Sequence, residues 1–329
     1  MKQEQITSLE NKIKKEYGNI TGIIVLKDNN AAYESYFNQC SEYDPIHIFS
    51  VTKSIISMLF GIALDKGCIK NLDEKVIDFF PNYQTRKREK TIQHVTIRNL
   101  LTMTAPYKYR FNPYPKYFSS DDWVISSLDL LGGNGKIGNF KYAPVIGIDI
   151  LSGILVNATG KSVLEFAQDN LFSPLGISVD KNIYFQSKEE QLDFYQSKGA
   201  NGWVADPKGT NTAGWGLSLT TMDMAKLGQL YLNEGHWNGR QVISDQWIFE
   251  STQVQSVWKA RHLKYGYLWW VIDEAEHSYA ALGDGGNAIY VNHEDRIVVA
   301  VSSLFFPRVK DRIDFIKREI EPLFILRTG

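Results

Sequence analysis

The sequence predicts an α+β fold, in which an antiparallel sheet is flanked by helices and carries a mostly helical inserted domain. Two observations at the chain ends support this. A helix followed by a strand hairpin opens the chain, and a strand hairpin followed by a helix closes it. A third observation is that strand signals are few between Leu72 and about Ala213. Both ends are therefore expected to build one sheet with helices packed on it.

The N-terminal part reads as helix, strand, turn and strand. Apolar residues at spacings of three and four form one stripe of an amphipathic helix: Ile6, Leu9, Ile13 and Tyr17. Gly18 is a good residue to end that helix. A β-branched apolar run at 20–26 and a second run at 31–37 flank the turn residues 27–30, as in a hairpin.

The C-terminal part mirrors this order. Strand-like runs at 288–292 and 296–302 surround the turn 293–295. Residues 310–324 follow with apolar side chains at helical spacing: Ile313, Ile316, Ile320 and Leu323.

The middle of the chain favours helices separated by loops rich in aromatic residues and proline. Helices are predicted at 95–102, 120–131, 145–158 and 162–171. The predicted division is a sheet domain from residues 1–80 and 213–329 and a mostly helical domain from 81–212. The active site is expected between them.

Composition excludes several classes of protein. With 36 Lys and Arg against 37 Asp and Glu, the net charge is −1, so no global field favours nucleic acid as a partner. The apolar runs are too short for a membrane span, and residues 1–7 lead into no apolar core of a signal peptide. Two cysteines, Cys40 and Cys68, fit a reducing compartment. A cytoplasmic location is therefore expected.

The clearest chemical feature is a serine and a lysine three residues apart at the start of an apolar segment. The apolar series from Ile55 to Leu64 that follows 47–54, closed by Lys66 and Gly67, predicts a helix buried on most sides. Ser50 then lies at the first turn and Lys53 on the same face. A buried lysine loses solvation, so its pKa falls and its neutral amine can accept the serine proton. An ordinary capped helix would contain the same pair, so the rest of the chain must decide.

Further motifs occur in a fixed order along the chain. They are 49–54 (FSVTKS), 61–67 (GIALDKG), 95–104 (VTIRNLLTMT), 171–177 (LFSPLGI), 213–218 (AGWGLS), 223–228 (DMAKLG), 265–270 (YGYLWW) and 283–287 (GDGGN). Taken together, they resemble the serine β-lactamase and penicillin-binding-protein superfamily in its class C-like branch, over roughly residues 20–325. The resemblance implies a β-lactamase/transpeptidase-like fold and a serine hydrolase that works through an acyl-enzyme.

The second element of that family is a tyrosine, which Tyr142 in 140–144 (FKYAP) matches best. The resemblance implies that Tyr142 is the general acid/base that shares a proton with Lys53. The chain departs from the family at Pro144, where an Asn is frequent. Proline cannot donate the hydrogen bond that such an Asn gives to a substrate, so amide recognition as in true β-lactamases is not expected.

The third element corresponds to Asp284, Gly285 and Gly286, ahead of a strand along the active-site edge. The backbone N–H of Asn287 is expected to complete an oxyanion hole with that of Ser50. Asp284 stands where a cation would bind a substrate carboxylate. Its opposite charge argues against anionic β-lactams and allows neutral esters or amides, or a substrate with a positive group.

The function predicted from the sequence is therefore a serine hydrolase of small esters, amides or short peptides, with weak or absent β-lactamase activity. The alternative is a penicillin-binding or sensor-like protein that is acylated without turnover. No Gly-x-Ser-x-Gly pentapeptide occurs, and the six histidines are dispersed, so neither that hydrolase class nor a metal or cofactor is expected. The natural substrate and the oligomeric state stay open.

Overall fold

The computed structural model describes residues 3–86, 88–109 and 112–325. Its centre is an antiparallel sheet of eight strands, in the order β2-β1-β14-β13-β12-β11-β10-β9. The strands are β1 Ile20–Lys27, β2 Asn30–Tyr36, β3 Ile46–His47, β4 Asn182–Ile183, β5 Trp203–Val204, β6 Ser218–Leu219, β7 His236–Trp237, β8 Arg240–Gln241, β9 Ser256–Trp258, β10 Leu263–Tyr265, β11 Trp270–Asp273, β12 Ser278–Gly283, β13 Asn287–Asn292 and β14 Ile297–Ser303. The first and last hairpins of the chain are thus neighbours in one sheet.

Helices cover both faces of this sheet. The α-helices are α1 Gln3–Glu16, α2 Val51–Asp65, α3 Ile97–Leu101, α4 Tyr114–Phe118, α5 Trp123–Leu128, α6 Ile150–Thr159, α7 Val163–Ala167, α8 Ser173–Leu175, α9 Lys188–Gln196, α10 Thr221–Leu232, α11 Asp245–Thr252 and α12 Arg312–Phe315. Short 3₁₀ segments are Val76–Phe79, Thr91–His94, Lys259–Arg261, Asp284–Gly286 and Glu321–Leu323, and π-helical turns are Gln168–Phe172 and Ile316–Ile320.

The central strands are buried on both faces because alternate side chains enter two different cores. In β1, Ile24 packs in the core that contains α2 and α10, whereas Ile23 and Val25 pack against α1 and the C-terminal helical segment. Successive side chains of a strand point to opposite faces, so an unbroken apolar run is what a doubly covered strand requires. The predicted α+β class is confirmed.

The helices of the middle region are shorter than the sequence predicts. The helix expected at 145–158 begins at Ile150, because Gly147 has a φ of +99° and packs against the Tyr107 ring. The helix expected at 120–131 is limited to 123–128. Asp122 is its N-cap, and the Asp122 carboxylate accepts the Ile125 N–H. The residues from 145 onward that are not helical extend the loop that carries Tyr142.

Two short strands bring distant parts of the chain to the start of α2. β3 pairs with β6 in an antiparallel bridge, and the Ile48 N–H donates to the Leu217 carbonyl at 2.9 Å. The segment before Ser50 is thereby tied to the segment that follows Gly214.

None of the helices in the described ranges has both the length and the apolar character needed to cross a bilayer.

Candidate active site

Ser50 occupies the N-cap of the buried helix α2. Every residue from Val51 to Ala63 of this helix is buried, as the apolar run predicts. Phe49, just before it, has a φ of +50°, which is a left-handed conformation that bulky residues rarely adopt. Within the described part of the chain, the Ser50 side chain caps no backbone N–H of the helix. Its oxygen is therefore left for another partner.

That partner is Lys53, whose Nζ lies 2.9 Å from the Ser50 Oγ. Two backbone carbonyls complete its surroundings: the Nζ is 2.7 Å from the Pro144 oxygen and 3.0 Å from the Gly214 oxygen. Lys53 is 1% exposed, so these contacts replace water around the amine.

The two carbonyls determine what a neutral Lys53 can do. A carbonyl oxygen can only accept hydrogen bonds, and a neutral amine has two N–H groups and one lone pair. If both N–H groups donate to Pro144 and Gly214, the lone pair is directed at the third neighbour, the Ser50 hydroxyl. This arrangement makes Lys53 an acceptor for the Ser50 proton.

Burial favours that neutral form. It lowers the pKa of Lys53 to about 7, although the negative charges of Asp284 and Asp149 raise the pKa. A pKa near neutrality lets one amine accept and return a proton at ordinary pH.

Tyr142 stands beside this pair. The Lys53 Nζ is 5.3 Å from the centroid of the Tyr142 ring. Burial raises the pKa of the Tyr142 phenol to about 12; a hydrogen bond with Ser50 lowers it and the charge of Asp284 raises it. The structure thus brings together the three residues that the sequence analysis named as catalytic.

The Tyr142 ring is held by other aromatic residues and by a neighbouring loop. It stacks on Trp258 with centroids 6.3 Å apart, and its centroid is 5.7 Å from that of Trp270. On either side of it, the Lys141 N–H donates to the Met103 carbonyl and the Ala143 N–H to the Met103 sulfur. The phenol is therefore fixed in orientation rather than free to rotate away.

The end of strand β12 passes directly in front of Ser50. A Cβ atom built on Gly283 would lie 2.3 Å from the Ile48 oxygen and 3.2 Å from the Ser50 nitrogen. Only a residue without a side chain fits there. Gly283 belongs to the sequence motif 283–287, in which no role was predicted for it.

Asn287 lies across the hairpin from Gly283 and is fully buried. Its side-chain amide donates to the Asp284 and Ser303 carbonyls, at 2.8 and 3.1 Å, and accepts the Ser303 N–H at 2.9 Å. The Asn287 side chain therefore stabilises the turn. The donor role expected for its backbone N–H stays a prediction.

A buried arginine stabilises the turn between β12 and β13. Gly285 and Gly286 have φ of +76° and +86°. Arg312 donates from Nε to the Gly286 carbonyl at 3.0 Å and from Nη2 to the Gly285 carbonyl at 3.2 Å, and Asn19 Nδ2 also donates to Gly285 at 2.6 Å. With both carbonyls held on this side, the turn presents Asp284 to the cavity that Ser50 lines.

Asp149 is a buried carboxylate that the sequence analysis missed. It accepts the Ala213 N–H at 2.7 Å and a hydrogen bond from the Tyr117 hydroxyl. Because Gly214 follows Ala213, Asp149 fixes the segment whose carbonyl binds Lys53. Burial raises the pKa of Asp149 to about 6. An aspartate just before an apolar helix looks like a simple cap, so no sequence signal marked it.

A cavity of about 1040 Å³ opens in front of these groups. Ser50, Tyr142, Asp284 and Phe305 line it, and so do Trp258 and Trp270. Trp270 belongs to this lining, whereas Trp215 and Trp269, which lie in the sequence motifs 213–218 and 265–270, are buried in the cores. Trp258 carried no sequence signal.

The model of the beta-lactamase family matches residues 11–318. The chain belongs to the beta-lactamase family. Among curated proteins, this beta-lactamase-family chain is 25% identical over 263 residues to an uncharacterized protein of Alkalihalophilus pseudofirmus, covering 76% of this chain and 70% of that one. It is 21% identical over 303 residues to the 6-aminohexanoate-dimer hydrolase of Paenarthrobacter ureafaciens, covering 85% of this chain and 71% of that one.

Solved structures of the beta-lactamase family share the fold. A family VIII carboxylesterase superposes with a TM-score of 0.70 at 14% sequence identity, covering 97% of this chain and 96% of that one. The fold and the family relationship identify the chain as a hydrolase of the beta-lactamase family.

Proposed function

We propose that the protein hydrolyses small esters or linear amides through an acyl-enzyme on Ser50. The single observation that supports this most is the position of Lys53, 2.9 Å from the Ser50 Oγ with two carbonyls holding its other donors. An amine in that setting converts an ordinary hydroxyl into a nucleophile.

The proposed reaction has two halves. As the Ser50 Oγ bonds to the substrate carbonyl carbon, its proton passes to Lys53, directly or through Tyr142. The proton then moves to the leaving oxygen or nitrogen as its bond to carbon breaks. In the second half water adds to the acyl carbon, gives a proton to the same base, and the bond to Oγ breaks as Ser50 regains its proton.

The oxyanion of each tetrahedral intermediate needs two N–H donors. We assign one to Ser50 and the other to the strand end that runs from Gly283 to Asn287. A Cβ atom added to Gly283 would lie 3.2 Å from the Ser50 nitrogen, so this strand end runs beside the start of α2 and the substrate carbonyl would lie between α2 and β12. Loss of one such donor typically costs roughly 10²–10³ in rate.

Two residues favour esters and linear amides over β-lactams, within the class C-like branch to which we assign the chain. Pro144 offers only its carbonyl, and Lys53 already occupies that group. Asp284 would repel the carboxylate of a penicillin. Relatives named as a 6-aminohexanoate-dimer hydrolase and a family VIII carboxylesterase agree with amide and ester chemistry.

We also propose the domain division made from the sequence, 1–80 with 213–329 and 81–212. It accounts for the composition of the site. Ser50, Lys53 and Asp284 come from the first unit, and Tyr142 with the carbonyl of Pro144 comes from the second.

A substrate panel tests this function. p-Nitrophenyl esters of rising chain length, short linear amides and nitrocefin are assayed with the wild type, Ser50→Ala and Ser8→Ala, an exposed serine on α1 that serves as control. We expect turnover of esters or amides in the wild type and Ser8→Ala and none in Ser50→Ala. Faster turnover of nitrocefin than of esters would contradict the substrate assignment. One equivalent of product without further turnover would instead indicate a penicillin-binding or sensor-like protein.

A further inference from the structure

Asp284 is an exposed carboxylate at the reacting end of the cavity. It follows Gly283, which lies beside the start of α2, and it lines the same cavity as Ser50 and Tyr142. Its charge also reaches the proposed base: although burial lowers the pKa of Lys53, Asp284 raises it.

The Asp284 carboxylate is not engaged by another side chain within the described ranges. It makes no hydrogen bond and no ion pair there. By contrast, most cations farther along the cavity are already paired. These pairs are Lys310 with Glu16, Lys317 with Glu276, Arg318 with Asp314 and Lys264 with Glu274.

Aromatic side chains line the same cavity as this carboxylate. Phe305 is one of them, and it packs against Phe49 and Tyr195 with ring centroids 5.5 and 6.2 Å away. Trp258 and Trp270 also line the cavity and remain partly exposed. Aromatic faces attract cations through the ring quadrupole, and a carboxylate in the same cavity adds a full negative charge. Trp258 already binds a cation in this way, with the Arg261 guanidinium 4.5 Å from its ring centroid.

We propose that Asp284 selects substrates that carry a positively charged ammonium group, so that the enzyme prefers cationic esters or amides to neutral ones of the same shape. The inference rests on the proposed acyl-transfer function and adds the substrate's charge to it. A neutral acyl group would fit the same cavity but would leave the carboxylate without a partner.

Isosteric substrate pairs test this directly. In the first pair the acyl group is 4-(trimethylammonio)butyrate or its neutral isostere 5,5-dimethylhexanoate, both as p-nitrophenyl esters. In the second the leaving group differs: butyrylthiocholine against the butyryl thioester of 3,3-dimethylbutanethiol. We expect the cationic member of at least one pair to have a kcat/KM about two- to fivefold higher, the size of an exposed charge interaction.

The variant Asp284→Asn should bring that ratio to about one. The ratio cancels the accompanying fall in the pKa of Lys53, because both substrates meet the same base at the same pH. Asp314→Asn is the matched control, since Asp314 lines the same cavity but is paired with Arg318. It should leave the ratio unchanged.

Equal rates for both members of both pairs, with turnover that still requires Ser50, would overturn the charge preference and leave the proposed function intact. The same preference in wild type and Asp284→Asn would also overturn it. Absence of all Ser50-dependent turnover would overturn the proposed function together with this inference.

Discussion

The Nζ of Lys53 lies 3.0 Å from the carbonyl oxygen of Gly214, although 161 residues separate them in the chain. This contact, with the one to Pro144, is what directs the amine at Ser50. It exists because β3 and β6 pair on one side and Asp149 holds Ala213 on the other. The proposed base is therefore oriented by backbone carbonyls from two distant segments.

The first prediction concerns the pH dependence of activity. Because the neutral amine of Lys53 is the active form and its pKa is about 7, kcat/KM should rise with pH and level off above that value. Below pH 7 the amine is protonated and cannot accept the Ser50 proton. A pH–rate profile with a neutral ester measures the midpoint, and a profile that is flat between pH 5 and 9 would exclude Lys53 as the base.

The second prediction concerns Asp149→Asn. Asn can still accept the Ala213 N–H, but it removes a charge that raises the pKa of Lys53. The acid limb of the pH–rate profile should therefore move to lower pH. Asp206→Asn is the control, because Asp206 is also buried but its charge does not act on Lys53. An unchanged midpoint in Asp149→Asn would limit Asp149 to a structural role.

The third prediction concerns Tyr142→Phe. The ring keeps its contacts with Trp258 and Trp270, so the thermal midpoint should change little. Loss of the hydroxyl should lower kcat by roughly 10²–10⁴, the usual contribution of a positioned acid or base. Activity near that of the wild type would mean that Tyr142 only packs against the cavity wall.

The fourth prediction concerns Gly283→Ala. The added methyl group would meet the Ile48 oxygen at 2.3 Å and displace the strand end from Ser50. We expect a rate loss of roughly 10² or more, as for a lost oxyanion donor. Gly18→Ala is the matched control, because its nearest contact would be an ordinary 3.6 Å. Equal kcat values for the two variants would place the oxyanion site elsewhere.

The sequence was most informative where chemistry and helix geometry coincide. The amphipathic stripe in the first residues of the chain predicted α1. The apolar run with one serine and one lysine at its start predicted the site of Ser50 and Lys53, because residues three apart lie on the same helix face. The antiparallel sheet with helices packed on it followed from the helix and hairpin signals at both ends of the chain.

Features that depend on tertiary contacts were not readable. The carbonyls of Pro144 and Gly214 meet Lys53 only because loops from different segments converge, and a backbone carbonyl has no sequence signature. Asp149 and Trp258 were missed for the same reason. Middle helices were overextended because Gly147 adopts a conformation that apolar periodicity does not reveal.

The role of Lys53 as the base for Ser50 is tested by the rate at which a fluorophosphonate labels Ser50, followed by intact mass and peptide mapping across pH 5–9. We expect one adduct, on Ser50, that forms faster as the Lys53 amine loses its proton near pH 7 and hardly forms in Lys53→Arg, whose side chain stays charged. An adduct on another residue, or equally fast labelling of Ser50 in Lys53→Arg, would contradict it.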